Sequence, residues 1–325
     1  MAKERRFINQ IMPGEALDQI FLVRQKDLRT ASNGQLYIAC TLCDKTGQLP
    51  ARMWQVSEAI HNSIPVDGFI QVKGRSESYK GMLQIVIDAL RPWPADKVAL
   101  ADYLPASQHD PEKMWEELLE IVSAVKDKHL RLLIKKFVED RVLVEKIKRA
   151  PAAVQMHHAF IGGLLEHTLN LARMARVLLP LYPKLNADLL LTGVFLHDIG
   201  KAEELTSGTS MSYSDRGALI GHITIAVLWI GAKAQAIAEE TGEPIPARTL
   251  DLVQHMVLSH HGEHEFGAPK LPAIPEAFVL HHLDNMDAKV YMTLFAIEND
   301  PDAAASFTSH LRQLDTRIYK RSGEL

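Results

Sequence analysis

Phe195-Leu196-His197-Asp198-Ile199-Gly200-Lys201 closes an apolar run that starts near residue 187 and repeats with helical periodicity. A helix of that composition is buried, so it carries an imidazole and a carboxylate into the interior at its end. A buried imidazole needs a partner for each ring nitrogen, and a buried charge is costly unless it is paired or bound to metal. Gly200 is expected to end this helix. Helical periodicity continues on both sides, over residues 114–126, 129–141, 165–179, 219–240 and 249–259. The reading is an all-α domain with ionisable groups in its core.

Three further segments bring the same chemistry. Residues 156–167 hold His158 and His167, and His167 shares a helix face with Leu164 and Leu171. Ser259-His260-His261-Gly262 follows a helical stretch, with His222 upstream in Ile220-Gly221-His222-Ile223. His281-His282-Leu283-Asp284-Asn285-Met286-Asp287 closes the apolar stretch 277–283. One such residue alone is usually a satisfied core histidine or a capping aspartate. Four segments with imidazole and carboxylate together point to a site for one or two divalent transition ions, with Mn, Fe, Co, Ni and Zn all compatible.

The first 95 residues read differently. Strands are expected over 19–28, 35–44, 48–55, 68–76 and 82–90, with turns at Asp44-Lys45-Thr46-Gly47 and Tyr79-Lys80-Gly81. A short helix is expected over 57–63. Five short strands with a helix after the third is the order of an OB-fold barrel. Arg24, Lys26, Arg29, Arg52, Trp54, Lys73, Arg75, Tyr79 and Lys80 form a candidate nucleic-acid surface of phosphate-binding cations and stacking rings. Trp54 also fits barrel packing. Pro92, Pro94, Pro105 and Pro111 mark a linker. The chain thus reads as multidomain: an all-β OB-fold barrel (1–95), a linker (96–112) and an all-α helical domain (113–325).

Composition narrows the function. The chain has 325 residues, 47% hydrophobic and 23% charged, with net charge −4, which is ordinary globular composition. Residues 1–95 carry 12 basic against 9 acidic residues, and the remainder 24 against 31. A slightly basic first domain suits nucleic acid, and an acidic second domain needs metal to hold a phosphate near its carboxylates. The N-terminal Met1-Ala2-Lys3-Glu4-Arg5-Arg6-Phe7 is charged, and no run approaches the ~20 apolar residues of a membrane span. A cytoplasmic protein without a membrane partner is expected. Cys40 and Cys43 lie three apart on an expected strand, so they point to opposite faces, and no second pair completes a zinc site.

The order His167…His197-Asp198…Asp284 resembles the HD superfamily of metal-dependent phosphohydrolases. The wider context is more specific. His158…Gly162-Gly163-Leu164-Leu165-Glu166-His167, Ser259-His260-His261-Gly262, Phe266-Gly267-Ala268-Pro269 and Leu283–Lys289 resemble the YhaM-type 3′-to-5′ exoribonucleases, which join an OB-fold to an HD-type domain. The resemblance implies His167, His197, Asp198 and Asp284 as the core metal ligands, with Asp198 bridging if two ions bind. It implies His222, His260 and His261 as candidate ligands of a second ion, and Lys201 as a contact to phosphate. His158 and Asp287 are candidates for ligand support or substrate contact, and His281 reads as a bystander. The implied activity is hydrolysis of single-stranded RNA, or also DNA, from the 3′ end by a metal-activated hydroxide, with Asp198 and Lys201 catalytic, Mn the expected ion, and assembly into homo-oligomers compatible. Two alternatives stand beside it: an HD phosphodiesterase for small or cyclic nucleotides, and a single-strand-binding protein without catalysis.

Overall fold

The computed structural model describes residues 5–79, 81–154, 158–209, 211–300, 302, 304–321 and 323. The chain divides into two compact units, Met1–Ala106 with Gly208–Ser210, and Ser107–Ser207 with Met211–Leu325.

The first unit is a closed barrel of β1 (Ala16–Thr30), β2 (Leu36–Asp44), β3 (Gly47–Trp54), β4 (Gly68–Tyr79) and β5 (Met82–Trp93). Its order is β1-β2-β3-β5-β4, the OB-fold order. Strand β1 is long because it serves both sides of the closure. Its first half pairs with β4 and its second half with β2, with a register shift between Val23 and Gln25. A short parallel pairing of Ala51 with Ile85 and Arg52 with Val86 completes the ring. Inward positions alternate as the pleat requires, and Phe21, Ile38, Leu42, Ile70, Val72 and Ile85 fill the core. The expected helix is α1 (Glu58–Ser63), capped by Ser57, whose side chain accepts from Ile60 N. Cys40 and Cys43 are free and buried, and burial pushes their thiols up to about 12 and about 11. Within the stretch 96–112, Tyr103 and Leu104 are buried, and the Tyr103 ring packs on Phe69 at 4.7 Å.

The second unit is helical: α2 (Pro111–Val122), α3 (Lys128–Val138), α4 (Arg141–Arg149), α5 (Gly163–Leu178), α6 (Ala187–Leu196), α7 (Lys201–Glu204), α8 (Asp215–Thr241), α9 (Ala247–Ser259) and α10 (Pro275–Glu298). A hairpin of β6 (Leu205–Ser207) and β7 (Met211–Tyr213) follows α7. Helix α6 is buried from Leu189 through Leu196, apolar all round as a central helix must be, and packs against α5, α9 and α10.

Three details depart from expectation. The stretch expected as one helix over 129–141 ends at Val138, because the Asp140 carboxylate accepts from Leu143 N and starts α4. Gly200 does not end α6 in a left-handed conformation. It has φ −66° and ψ −20° and leads into α7, and a Cβ there would lie 2.1 Å from His222 O. Close backbone approach is what demands glycine. Helix α8 is also long and apolar enough to cross a membrane by length and mean hydropathy, 1.5 over its best window, against the reading that no such run exists. Its Ile223, Ala226, Ile230 and Ile237 belong to the helical core.

Candidate metal centre

Asp198 follows the C-cap of α6 and is 1% exposed. Its two oxygens face two different groups of histidines. Oδ2 lies 3.4 Å from His197 Nε2 and 3.6 Å from His167 Nε2. These two nitrogens are 3.3 Å apart, and His167 Nε2 lies 3.2 Å from Asp284 Oδ1. Oδ1 lies 3.4 Å from both His222 Nε2 and His260 Nε2. His261 joins this second nest, its ring 4.3 Å from that of His260 and 5.3 Å from that of His222. Ligand atoms of His222, His260 and His261 fall within 4.8 Å of one another, as do those of His167, His197 and Asp198.

Each of the five rings is held by its other nitrogen. His197 and His260 are the C-caps of α6 and α9, and each donates Nδ1–H to the carbonyl three residues back, Val194 O at 2.8 Å and Val257 O at 2.7 Å. His261 donates to Phe266 O at 2.8 Å and His222 to Glu204 Oε1 at 3.0 Å. His167 donates to Asp287 Oδ2 at 2.7 Å. In the neutral imidazole these acceptors fix the proton on Nδ1 and leave Nε2 to carry the lone pair.

The residues fit a divalent ion on one observation in particular. Asp198 Oδ1, His222 Nε2 and His260 Nε2 are buried and hydrogen-bonded to nothing. Three lone pairs converge with no donor among them, which is costly unless a cation is shared. At Oδ2 the Lys201 ammonium, 2.7 Å away, compensates part of the charge. Burial opposes ionisation of Asp198, yet Lys201 and His197 hold its carboxyl well below the usual range. Burial pushes the His261 imidazole down to about 4, which keeps it neutral and available as a ligand.

The backbone explains why these atoms meet. Gly221, at φ 69° and ψ 158°, kinks α8 and frees the His222 N–H, which donates to Glu204 Oε1 at 2.9 Å. Gly163 passes so close to His158 that a Cβ would lie 2.0 Å from His158 O. His158, buried at φ 49°, gives Nε2 to Asp287 Oδ2 at 2.9 Å. It therefore stands behind His167 rather than beside Asp198. His281 does more than its reading as a bystander allowed. Its Nδ1 lies 3.0 Å from His260 O. Glu204, which no sequence signal singled out, is buried and orients His222. A cavity of about 730 Å3 opens beside the cluster, lined by Lys201, His222, His261, Asp284, Tyr213 and Phe266 among others.

On the barrel, three of the nine expected nucleic-acid residues meet. The Arg52 guanidinium lies 5.9 Å from the Trp54 ring and 5.3 Å from the Tyr79 ring. Trp54 also packs on Tyr37 at 4.7 Å and is 45% exposed, so it is not core. Strand register sets Arg29 opposite Tyr37, and Arg52 and Arg75 both beside Val86, on this outer face. Arg24 instead pairs with Asp67 and Lys26 donates to His61 O. Lys73 and Arg75 sit 3.7 and 3.6 Å from Asp18 and Asp88. Lys80 lies outside the described residues.

A helical bundle whose core gathers His167, His197, Asp198 and Asp284 in this way is an HD-type phosphohydrolase domain, and the HD domain family model matches residues 164–289. The HD domain implies binding of divalent metal. Three relatives are each designated 3′-5′ exoribonuclease YhaM. Those from Geobacillus sp. (strain WCH70) and Halalkalibacterium halodurans are 36% and 33% identical over 94% of this chain and 92% and 93% of their own. That from Listeria monocytogenes serotype 4b is 35% identical over 86% of this chain and 87% of its own. The chain belongs to the YhaM 3′-5′ exoribonuclease family.

Proposed function

We propose that the chain is a metal-dependent 3′-to-5′ exoribonuclease that hydrolyses phosphodiester bonds in single-stranded RNA. The observation that carries the reading is Asp198, whose two oxygens serve two histidine nests at once. His167, His197, Asp198 and Asp284 would hold one ion, and His222, His260 and His261 with Asp198 a second. Ions held there, Mn2+ being the expected choice, would acidify water and neutralise phosphate charge. Lys201, which lines the cavity with its ammonium at Asp198, supplies a further positive contact to the phosphate. Asp287 and His158 keep His167 oriented, and Glu204 does the same for His222. The Arg52, Trp54 and Tyr79 face of the barrel suits a single strand, by stacking and by charge.

The test is a 5′-labelled single-stranded RNA and its matched DNA, incubated with Mn2+ and then with chelator, and resolved on a sequencing gel. A metal-dependent ladder shortening from the 3′ end is expected on RNA. Intact strands of both kinds with metal bound would remove the exonuclease reading in favour of a small-nucleotide substrate.

A further inference from the structure

The segment Phe266-Gly267-Ala268-Pro269 has two parts with different jobs. Its backbone is committed to the metal cluster and to its own turn. Phe266 O accepts from His261 Nδ1. Phe266 N donates to Glu263 O at 3.1 Å, Gly267 N to His264 O at 3.0 Å and Ala268 N to Glu263 O at 3.1 Å. Gly267, at φ 85°, reverses the chain, and His264 Nδ1 binds Ala268 O at 2.9 Å. None of this uses the Phe266 side chain, so any residue with the same backbone would build the turn.

The phenyl ring is 61% exposed and lines the cavity that also holds Lys201, His222, His261 and Asp284. A ring there adds little to the core, because only burial makes an aromatic stabilising. Tyr213, 58% exposed, lines the same cavity from the β6–β7 hairpin. The cavity wall is thus charged and metal-binding in one part and aromatic in another. A nucleotide has the same division, with an anionic phosphodiester at one end and a flat π-face at the other. Stacking on an aromatic side chain tolerates any base, since every base has a π-face.

We propose that the Phe266 ring is the stacking platform for the base of the 3′-terminal nucleotide whose phosphodiester lies at the metal cluster, a reading that rests on the exonuclease assignment above. Phe266 is then a binding and specificity residue. It lets the enzyme require a base without choosing which.

The test compares two RNAs identical except that one ends in an abasic ribose at its 3′ terminus, with wild type, Phe266→Ala and Phe266→Tyr. For the first cleavage, wild-type kcat/KM is expected to be about 5- to 140-fold higher on the base-bearing end, the range of one base–aromatic stack. Phe266→Ala is expected to lose that preference by falling on the base-bearing RNA alone, and Phe266→Tyr to restore it. Metal content of Phe266→Ala should equal that of wild type, because the carbonyl that orients His261 remains. A Phe266→Ala enzyme that keeps the preference overturns the proposal, as does a wild type that shortens both RNAs equally. A wild type that shortens neither removes the exonuclease reading itself, and the proposal with it.

Discussion

Asp287 Oδ2 lies 2.7 Å from His167 Nδ1, on the far side of the ring from the Nε2 atom that faces Asp198 and Asp284. The same oxygen takes His158 Nε2, and Oδ1 takes Asn170 Nδ2 at 3.2 Å. One carboxylate behind the site therefore sets which nitrogen of His167 is free to bind metal. Asp287→Asn keeps the shape but offers a neutral, weaker acceptor. Metal affinity is expected to fall about 10- to 100-fold, the usual effect of losing such a partner. Isothermal titration of metal-free protein with Mn2+ measures it, and an unchanged Kd would remove the orienting role.

Asp198→Ala takes one ligand from both nests together. Hydrolysis is expected to vanish and bound metal to fall below one ion per chain by elemental analysis. The far-UV circular dichroism spectrum should persist, because the helices around Asp198 are held by the apolar core. An active Asp198→Ala preparation, free of wild type, would sink the assignment.

Protons should leave when metal enters. Burial disfavours the charged form of His167, but hydrogen bonds to Asp284 and Asp287 outweigh it and raise its pKa to about 9. Below that pH the metal-free His167 carries a second proton, on Nε2, and a ligand imidazole must be neutral. Metal affinity is therefore expected to weaken as pH falls through about 9. Titration calorimetry at neutral pH in buffers of different ionisation enthalpy should give buffer-dependent heats. Identical heats in every buffer would contradict this protonation.

Trp54→Ala should weaken binding of a single-stranded RNA in chelator about 5- to 140-fold, the value of one base–aromatic stack. Arg52→Gln should flatten the salt dependence of binding by about one phosphate contact. Fluorescence anisotropy at several salt concentrations reads both. Wild-type affinity in both variants would move the binding face elsewhere on the barrel.

Much of this was legible in the sequence because it is written in period and spacing. Val, Ile, Phe and Tyr recurring between turn signals announced the five strands, and the apolar run into His197-Asp198 announced a buried carboxylate. Glu204 was not legible. In Lys201-Ala202-Glu203-Glu204 it reads as part of a solvated charged turn, and only the Gly221 kink brings His222 N and Nδ1 to it. The division of helices α3 and α4 hung on which acidic residue would cap, a choice made by the Asp140 carboxylate and its Lys233 partner at 3.0 Å. Gly200 was expected to end α6, but the helix ends at Leu196 and Gly200 is the N-cap of α7. A chain-local rule for helix ends carries no knowledge that His222 O would pass beside it.

The two histidine caps, His197 on α6 and His260 on α9, have an electrostatic consequence. Both helices aim their carbonyl ends at one cluster. Aligned peptide dipoles leave roughly half a negative charge at each such end, and these add to the charges of Asp198 and Asp284. The Lys201 ammonium offsets part of this charge, and the excess favours cations at the cluster. Ions held there would offset that excess, so the field met by a nucleic acid would depend on bound metal.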